Sequence, residues 1–243
     1  MTGLLELAHV SKRFSGLRAV QDVSFAVPEG QIAALIGPNG AGKTTCFNVI
    51  AGVYRPDAGE VRLGGQRIDG WRPDRICRAG VGRTFQLVKP FAGLSVLENA
   101  MVGALHKERT MAGARARANA VLERLGLAGK AALAAAHLTL ADRRRLEVAR
   151  ALATRPSLLL LDEVMAGLRP AEIDELVAAL RDIQRDEGVT ILLTEHVMRA
   201  VMALSDQIVV LHHGEVIARG APAAVVRDPG VVACYLGEEA PPL

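Results

Sequence analysis

The sequence predicts an α/β fold: a βαβ core built around a phosphate-binding loop, with a mostly helical block inserted into it. Three observations carry this reading. Residues 37–44 spell Gly-Pro-Asn-Gly-Ala-Gly-Lys-Thr, between an apolar strand-like run at 31–36 and a helix-like run at 45–51. From 94 to 154 Ala, Arg and Leu dominate and β-branched residues are few, the pattern of helices. After Ser157 apolar runs and amphipathic stretches alternate again.

Taken in order, residues 4–9, 20–27, 31–36 and 60–63 alternate or run apolar between Gly, Pro and Asp turns, so they are predicted strands. The loop after 31–36 has a specific chemistry. Gly37, Gly40 and Gly42 let the backbone wrap a polyphosphate, so that N–H groups point inward and meet the positive end of the following helix. Pro38, Asn39 and Ala41 complete that wrap, Lys43 reaches the β- and γ-phosphates, and the hydroxyl of Thr44, followed by Thr45, holds Mg²⁺. A strand is predicted at 158–161, a helix opened by Pro170 at 170–187, a strand at 190–194 and a helix at 197–204. Residues 207–211 and 215–219 form a hairpin turning at His213-Gly214, and 238–243 read as a loose tail.

Composition narrows the function classes. The chain has 243 residues, half of them apolar but only 3% aromatic, so a core of Ala, Val, Leu and Ile is expected. A net charge of +3 is too mild to argue for nucleic acid. Cys46, Cys77 and Cys234 have neither metal-ligand spacing nor an even-numbered framework, which suits a reducing compartment. The first residues show no signal peptide, and no run of about 18 apolar residues reads as a membrane span.

The second half of a nucleotide site follows the strand at 158–161, where Leu158-Leu159-Leu160-Leu161-Asp162-Glu163 ends in two carboxylates. Asp162 can reach Mg²⁺ held by the phosphate loop, and Glu163 can polarise an attacking water. A strand-to-helix junction with capping acids explains the pair equally well when taken alone; the phosphate loop upstream decides between them.

Over essentially its whole length the chain resembles the ATP-binding-cassette (ABC) ATPases, whose motifs recur here in the family's order. The resemblance implies a P-loop NTPase core of RecA-like type with an N-terminal antiparallel β subdomain and an inserted α-helical subdomain. Residues 1–86 and 155–236 would form the catalytic core with its β subdomain, 87–154 the helical subdomain and 237–243 the tail. Phe14 matches the aromatic that stacks on adenine; a core phenylalanine is the alternative. Gln86 matches the glutamine between Mg²⁺, water and the transport partner, and His196 the switch histidine at the γ-phosphate. Ala166-Gly167-Leu168-Arg169-Pro170 matches the loop that touches the opposing monomer. The family's Leu-Ser-Gly-Gly-Gln signature is altered to Leu138-Thr139-Leu140-Ala141-Asp142. Thr139 and Ala141 keep a hydroxyl and an N–H for the neighbour's ATP, whereas Asp142 suits the helix dipole but opposes a nearby phosphate. The arginines 143–145 read as a solvated or phosphate-facing helix start.

The resemblance implies an ATP-hydrolysing subunit, with ATP and Mg²⁺, that pairs with a second ABC subunit and docks on membrane permease subunits at the cytoplasmic face of the membrane. An extracytoplasmic substrate-binding protein would be an indirect partner, and no nucleic-acid partner is expected. Gly82-Arg83-Thr84-Phe85-Gln86, residues 96–103 and Tyr235-Leu236-Gly237-Glu238-Glu239 are similar to the branched-chain amino-acid importers, with urea and short-amide importers close by. The alternatives are a lipopolysaccharide-type exporter, a soluble ABC ATPase acting on nucleic acid or ribosomes, and a weakly hydrolysing regulatory subunit. Leu87, Val88, Phe91 and Leu94, beside Gln86, are expected to receive a permease helix; packing between subdomains is the other reading.

Overall fold

The computed structural model describes residues 3–85 and 90–236. Gln86, Leu87 and Val88, and the tail at 237–243, lie outside the described residues. The chain begins with a hairpin, β1 (Leu5–Phe14) and β2 (Leu17–Val27), followed by β3 (Ile32–Ile36) and α1 (Lys43–Ile50). Next come β4 (Ala58–Leu63), β5 (Gln66–Arg67), α2 (Pro73–Arg78) and β6 (Val81–Arg83). The helical block is α3 (Val96–Ala104), α4 (Met111–Arg124) and α5 (Leu140–Ala153). The chain then runs through β7 (Leu158–Asp162), α6 (Pro170–Glu187), β8 (Thr190–Thr194), α7 (Met198–Leu204), β9 (Gln207–His212) and β10 (Glu215–Gly220), ending in α8 (Pro222–Val225) and α9 (Pro229–Leu236).

Two sheets result. One is antiparallel in the order β2-β1-β4-β5; the other runs β10-β9-β3-β8-β7-β6, parallel throughout except for the β9–β10 hairpin. The strict alternation of a strand divides β3 between two cores. Ile32, Ala34 and Ile36 join the cluster formed with α3–α7, whereas Ala33 and Leu35 join the one formed with α1 and the antiparallel sheet. Covered on both faces, β3, β7 and β8 are buried at every position, which is why they read as unbroken apolar runs.

The structure amends several sequence boundaries. Strand β1 continues well past His9, because a register shift there, with His9 at φ 53, bends the strand without ending it. Helix α1 starts at Lys43, two residues earlier than the pattern suggested, since Gly42 at φ 105 turns the chain directly into it. The helices α2, α8 and α9 were missed; each is short and carries Pro in its first turn, a start signal that the few residues after it could not sustain as periodicity.

Candidate functional site

The phosphate loop is held open by glycine at places where nothing else fits. A Cβ on Gly37 would sit 2.1 Å from the Leu211 carbonyl, and one on Gly42 would sit 2.4 Å from that of Ala19. The turn His213-Gly214 braces the loop from the far end of the chain, Gly214 N–H donating to Ala41 at 3.0 Å and Gln21 N–H to Gly214 at 2.8 Å. No side chain caps α1, so its first N–H groups are left for a ligand. Lys43 lies inside the loop, its ammonium donating to the carbonyls of Gly37 (2.6 Å) and Pro38 (3.0 Å). Burial pulls its pKa down, opposed by the carboxylates of Glu163 and Asp162.

Above the loop opens a cleft of about 630 Å³ whose walls include Phe14, Asn39, Thr44, Thr45, Glu163 and His196. Phe14 is not a core residue: it is 37% exposed and meets Tyr54 edge-on at 5.0 Å between centroids. Arg18 and His213 also line this cleft. Sequence reasoning missed both, because the hairpin of β1 and β2 and the turn after β9 reach it only through the tertiary fold.

The ends of β7 and β8 supply the carboxylates. Asp162 is buried at the last position of β7, accepting from Thr194 Oγ1 at 2.9 Å and from Arg83 at 3.3 Å. Arg83 is shared with Asn48 Oδ1 at 2.8 Å. Glu163 follows at φ 50, in the left-handed region that costs a non-glycine residue of order 1–3 kcal/mol. That turn takes its side chain off the strand's alternation and into the cleft, where Oε1 lies 2.9 Å from His196 Nε2.

The segment 138–142 does not line this cleft; it leads into α5. Thr139 caps α5, its hydroxyl accepting from Asp142 N–H at 3.2 Å and donating to Asp142 Oδ2 at 2.8 Å. Asp142 is not a bare charge: Lys130 binds the same oxygen at 2.5 Å and, with the Thr139 hydroxyl, holds the carboxyl below the usual range against its burial. The reading of 143–145 as a solvated run is corrected. Arg143 donates to the Ala136 carbonyl at 2.8 Å, Arg144 is buried and Arg145 pairs with Glu175. Leu140 is half exposed and lies against Gly167.

A second cavity, about 400 Å³, opens between α2, β6, α3 and α5 and is lined by Val53, Cys77, Phe85, Val102, Glu147 and Arg150. Burial pushes the Glu147 carboxyl up to about 6; one oxygen accepts from Phe85 N–H at 2.8 Å, and the other is buried without a partner among the described residues. Phe91 lies beside this cavity, exposed and stacked over the Arg150 guanidinium at 4.7 Å.

With this geometry in place, the family follows from comparison. The family model described as ABC transporter matches residues 20–166, more than half of the chain. The chain belongs to the ABC transporter family. A second model, for branched-chain amino acid ATP-binding cassette transporters, matches residues 215–241 of this cassette. The cassette is 41% identical to the high-affinity branched-chain amino acid transport ATP-binding protein BraF of Pseudomonas aeruginosa, over 97% of this chain and 98% of that one. LivG of Escherichia coli, described in the same words, is 40% identical over the same shares, and the lipopolysaccharide export ATP-binding protein LptB of that organism is 34% identical over 97% of this chain. A nucleotide-free ATP-binding cassette from an ABC transporter superposes with a TM-score of 0.87 at 29% identity, covering 96% of this chain and 99% of the other. The cassette thus has the fold of an ABC ATPase, binds nucleotide and hydrolyses ATP as an ATP-binding subunit closely related to the branched-chain amino acid transport ATPases. Among the described residues no helix is long and apolar enough to cross a membrane.

Proposed function

We propose that the cassette hydrolyses ATP to drive import of branched-chain amino acids through permease subunits on whose cytoplasmic side it docks. The observation that carries the reading is the convergence in one cleft of Lys43, Glu163 and His196 with the uncapped start of α1. In this reading the backbone of 37–45 and Lys43 bind the phosphates, while Phe14 stacks on the base. Glu163 accepts a proton from the attacking water or orients it, and His196, hydrogen-bonded to Glu163, contacts the γ-phosphate. Gln86, outside the described residues, is assigned to the same nucleotide in this reading.

Mg²⁺ fits the donor set. The Thr44 hydroxyl is exposed in the cleft, and Asp162, buried at the strand end and already accepting from Thr194 and Arg83, would be the carboxylate; both are hard oxygen ligands of the type Mg²⁺ takes. When bound it would neutralise charge on the phosphates.

Two copies would share their sites, Thr139 and Ala141 of each capping the nucleotide of the other. The ion pair Lys130–Asp142 supports this by balancing the acid that would face a phosphate. We assign 1–86 and 155–236 to the core with its β subdomain and 87–154 to the helical subdomain. In this reading the permease helix docks beside Phe91, at the cavity lined by Phe85, Glu147 and Arg150; Leu87 and Val88, expected at the same groove, lie outside the described residues.

The experiment is uptake of labelled leucine, isoleucine and valine by cells lacking the gene, complemented with the wild-type chain or with Glu163→Gln. Restoration by the wild type alone supports the reading. Restored uptake of urea or short amides instead, or of nothing, overturns the choice of substrate.

A further inference from the structure

Three consecutive side chains at the end of β8 grip the segment that follows β7. Thr194 Oγ1 donates to Asp162 at 2.9 Å, and His196 Nε2 meets Glu163 at 2.9 Å. Between them, Glu195 Oε1 accepts from the backbone N–H of Met165 at 2.8 Å. Strand β8 ends at Thr194, and the chain leaving it carries Glu195 to the backbone of the loop and His196 to Glu163. Thr194 and His196 serve the carboxylates, whereas Glu195 accepts from backbone, the N–H groups of Met165 and of His196 itself.

The placement of Glu195 is costly. Its residue is 2% exposed, and the charged groups around it are Glu163, which opposes its ionisation, and Arg144 of α5, which favours it. What the carboxylate secures is the path of the loop. Glu163 enters that loop in the left-handed region, Val164 and Met165 are fully buried, and Gly167 at φ 79 comes out against Leu140 beside Thr139. The loop therefore runs from the Glu163 of one nucleotide site to the segment 138–142, and Met165 is its midpoint.

We propose that Glu195 is a positioning residue for ATP hydrolysis, which by holding the Met165 N–H sets both Glu163 and the Gly167–Leu140 contact. The inference rests on the reading of Glu163 given above. Glutamine at 195 keeps an oxygen at the same reach without charge; aspartate keeps the charge but falls one methylene short of Met165. Reach, not charge, is what the geometry requires.

The test is steady-state ATP hydrolysis by the full chain with Mg²⁺, comparing wild type, Glu195→Gln, Glu195→Asp and Glu195→Ala, with Glu163→Gln as reference. Melting curves establish that each variant is folded. Glu195→Gln is expected to keep at least half of the wild-type kcat. Glu195→Asp and Glu195→Ala are expected to lose kcat about 10-fold or more, with KM for ATP changed less than about 2-fold, because misplacing a reacting group by an ångström is enough for such losses. An active Glu195→Asp beside an inactive Glu195→Gln overturns the proposal in favour of charge. Wild-type kcat in Glu195→Ala, with Glu163→Gln inactive, overturns it while leaving the reading of Glu163 intact. If Glu163→Gln also hydrolyses at the wild-type rate, it is that reading which fails.

Discussion

Replacing Glu195 by Gln makes the stability of the nucleotide-free cassette less dependent on pH, by an amount the structure sets. Burial pushes the Glu195 carboxyl from 4.5 up to about 7, with Glu163 adding to the rise and the N–H groups of Met165 and His196 opposing it. The sign follows from proton counting. Below pH 4.5 folded and unfolded chains both hold the proton, and the residue has no effect on the balance. Between 4.5 and 7 the folded chain keeps a proton that the unfolded chain has lost, so stability falls as pH rises, by about 1.4 kcal/mol per pH unit for one proton. Above 7 the full penalty of about 3 kcal/mol is in place. Glutamine carries no charge at any pH and keeps an acceptor for Met165. The advantage of Glu195→Gln over wild type should therefore grow by about 2.5 kcal/mol from pH 5 to pH 8. Urea unfolding of both proteins across that range measures it, and titrating groups that do not interact with Glu195, Glu147 among them, cancel in the difference. Parallel stability curves, or an advantage that shrinks as pH rises, would refute the account of Glu195 as a carboxyl buried against its own charge.

Lys43→Ala should abolish the rise in melting temperature that ATP produces, since Lys43 is the cation seated within the phosphate loop; an unchanged rise removes it from the site. Thr139→Val should cost the free chain about 1 kcal/mol, the usual worth of an N-cap, and should weaken ATP-driven dimerisation of a Glu163→Gln background seen by light scattering. Lys130→Met, which strips Asp142 of its partner, should weaken the same dimerisation while leaving ATP binding to the monomer unchanged; an unaltered dimer fraction would show that the acid does not face a phosphate. Phe91→Asp should lower amino-acid uptake in cells with ATP binding and folding retained, and normal uptake would remove Phe91 from the docking face.

What was legible in the sequence is what local order dictates. The loop 37–44 has a fixed spacing because consecutive N–H groups must surround one phosphate chain, and β7 announces itself because a strand covered on both faces must be apolar throughout. The altered signature was legible in its letters but not in its electrostatics: Lys130 lies twelve positions before Asp142, across two short 3₁₀ turns that have no periodic pattern. The brace of His213-Gly214 on the phosphate loop escaped for the same reason, since it joins residues at opposite ends of the chain. Glu195 stood next to a residue already singled out, yet an acid at a strand end is ordinarily solvated. Only the fold shows it buried against Met165.

The central claim is that Glu163 is the carboxylate that activates water at an intact phosphate loop. The measurement that meets it most directly is ATP turnover by the purified chain and by Glu163→Gln at saturating ATP and Mg²⁺, with bound nucleotide determined in parallel. The account predicts turnover reduced by about 10²–10⁴-fold in Glu163→Gln, the loss expected when general-base help is removed, with ATP still bound. Turnover at the wild-type rate with ATP bound would contradict it.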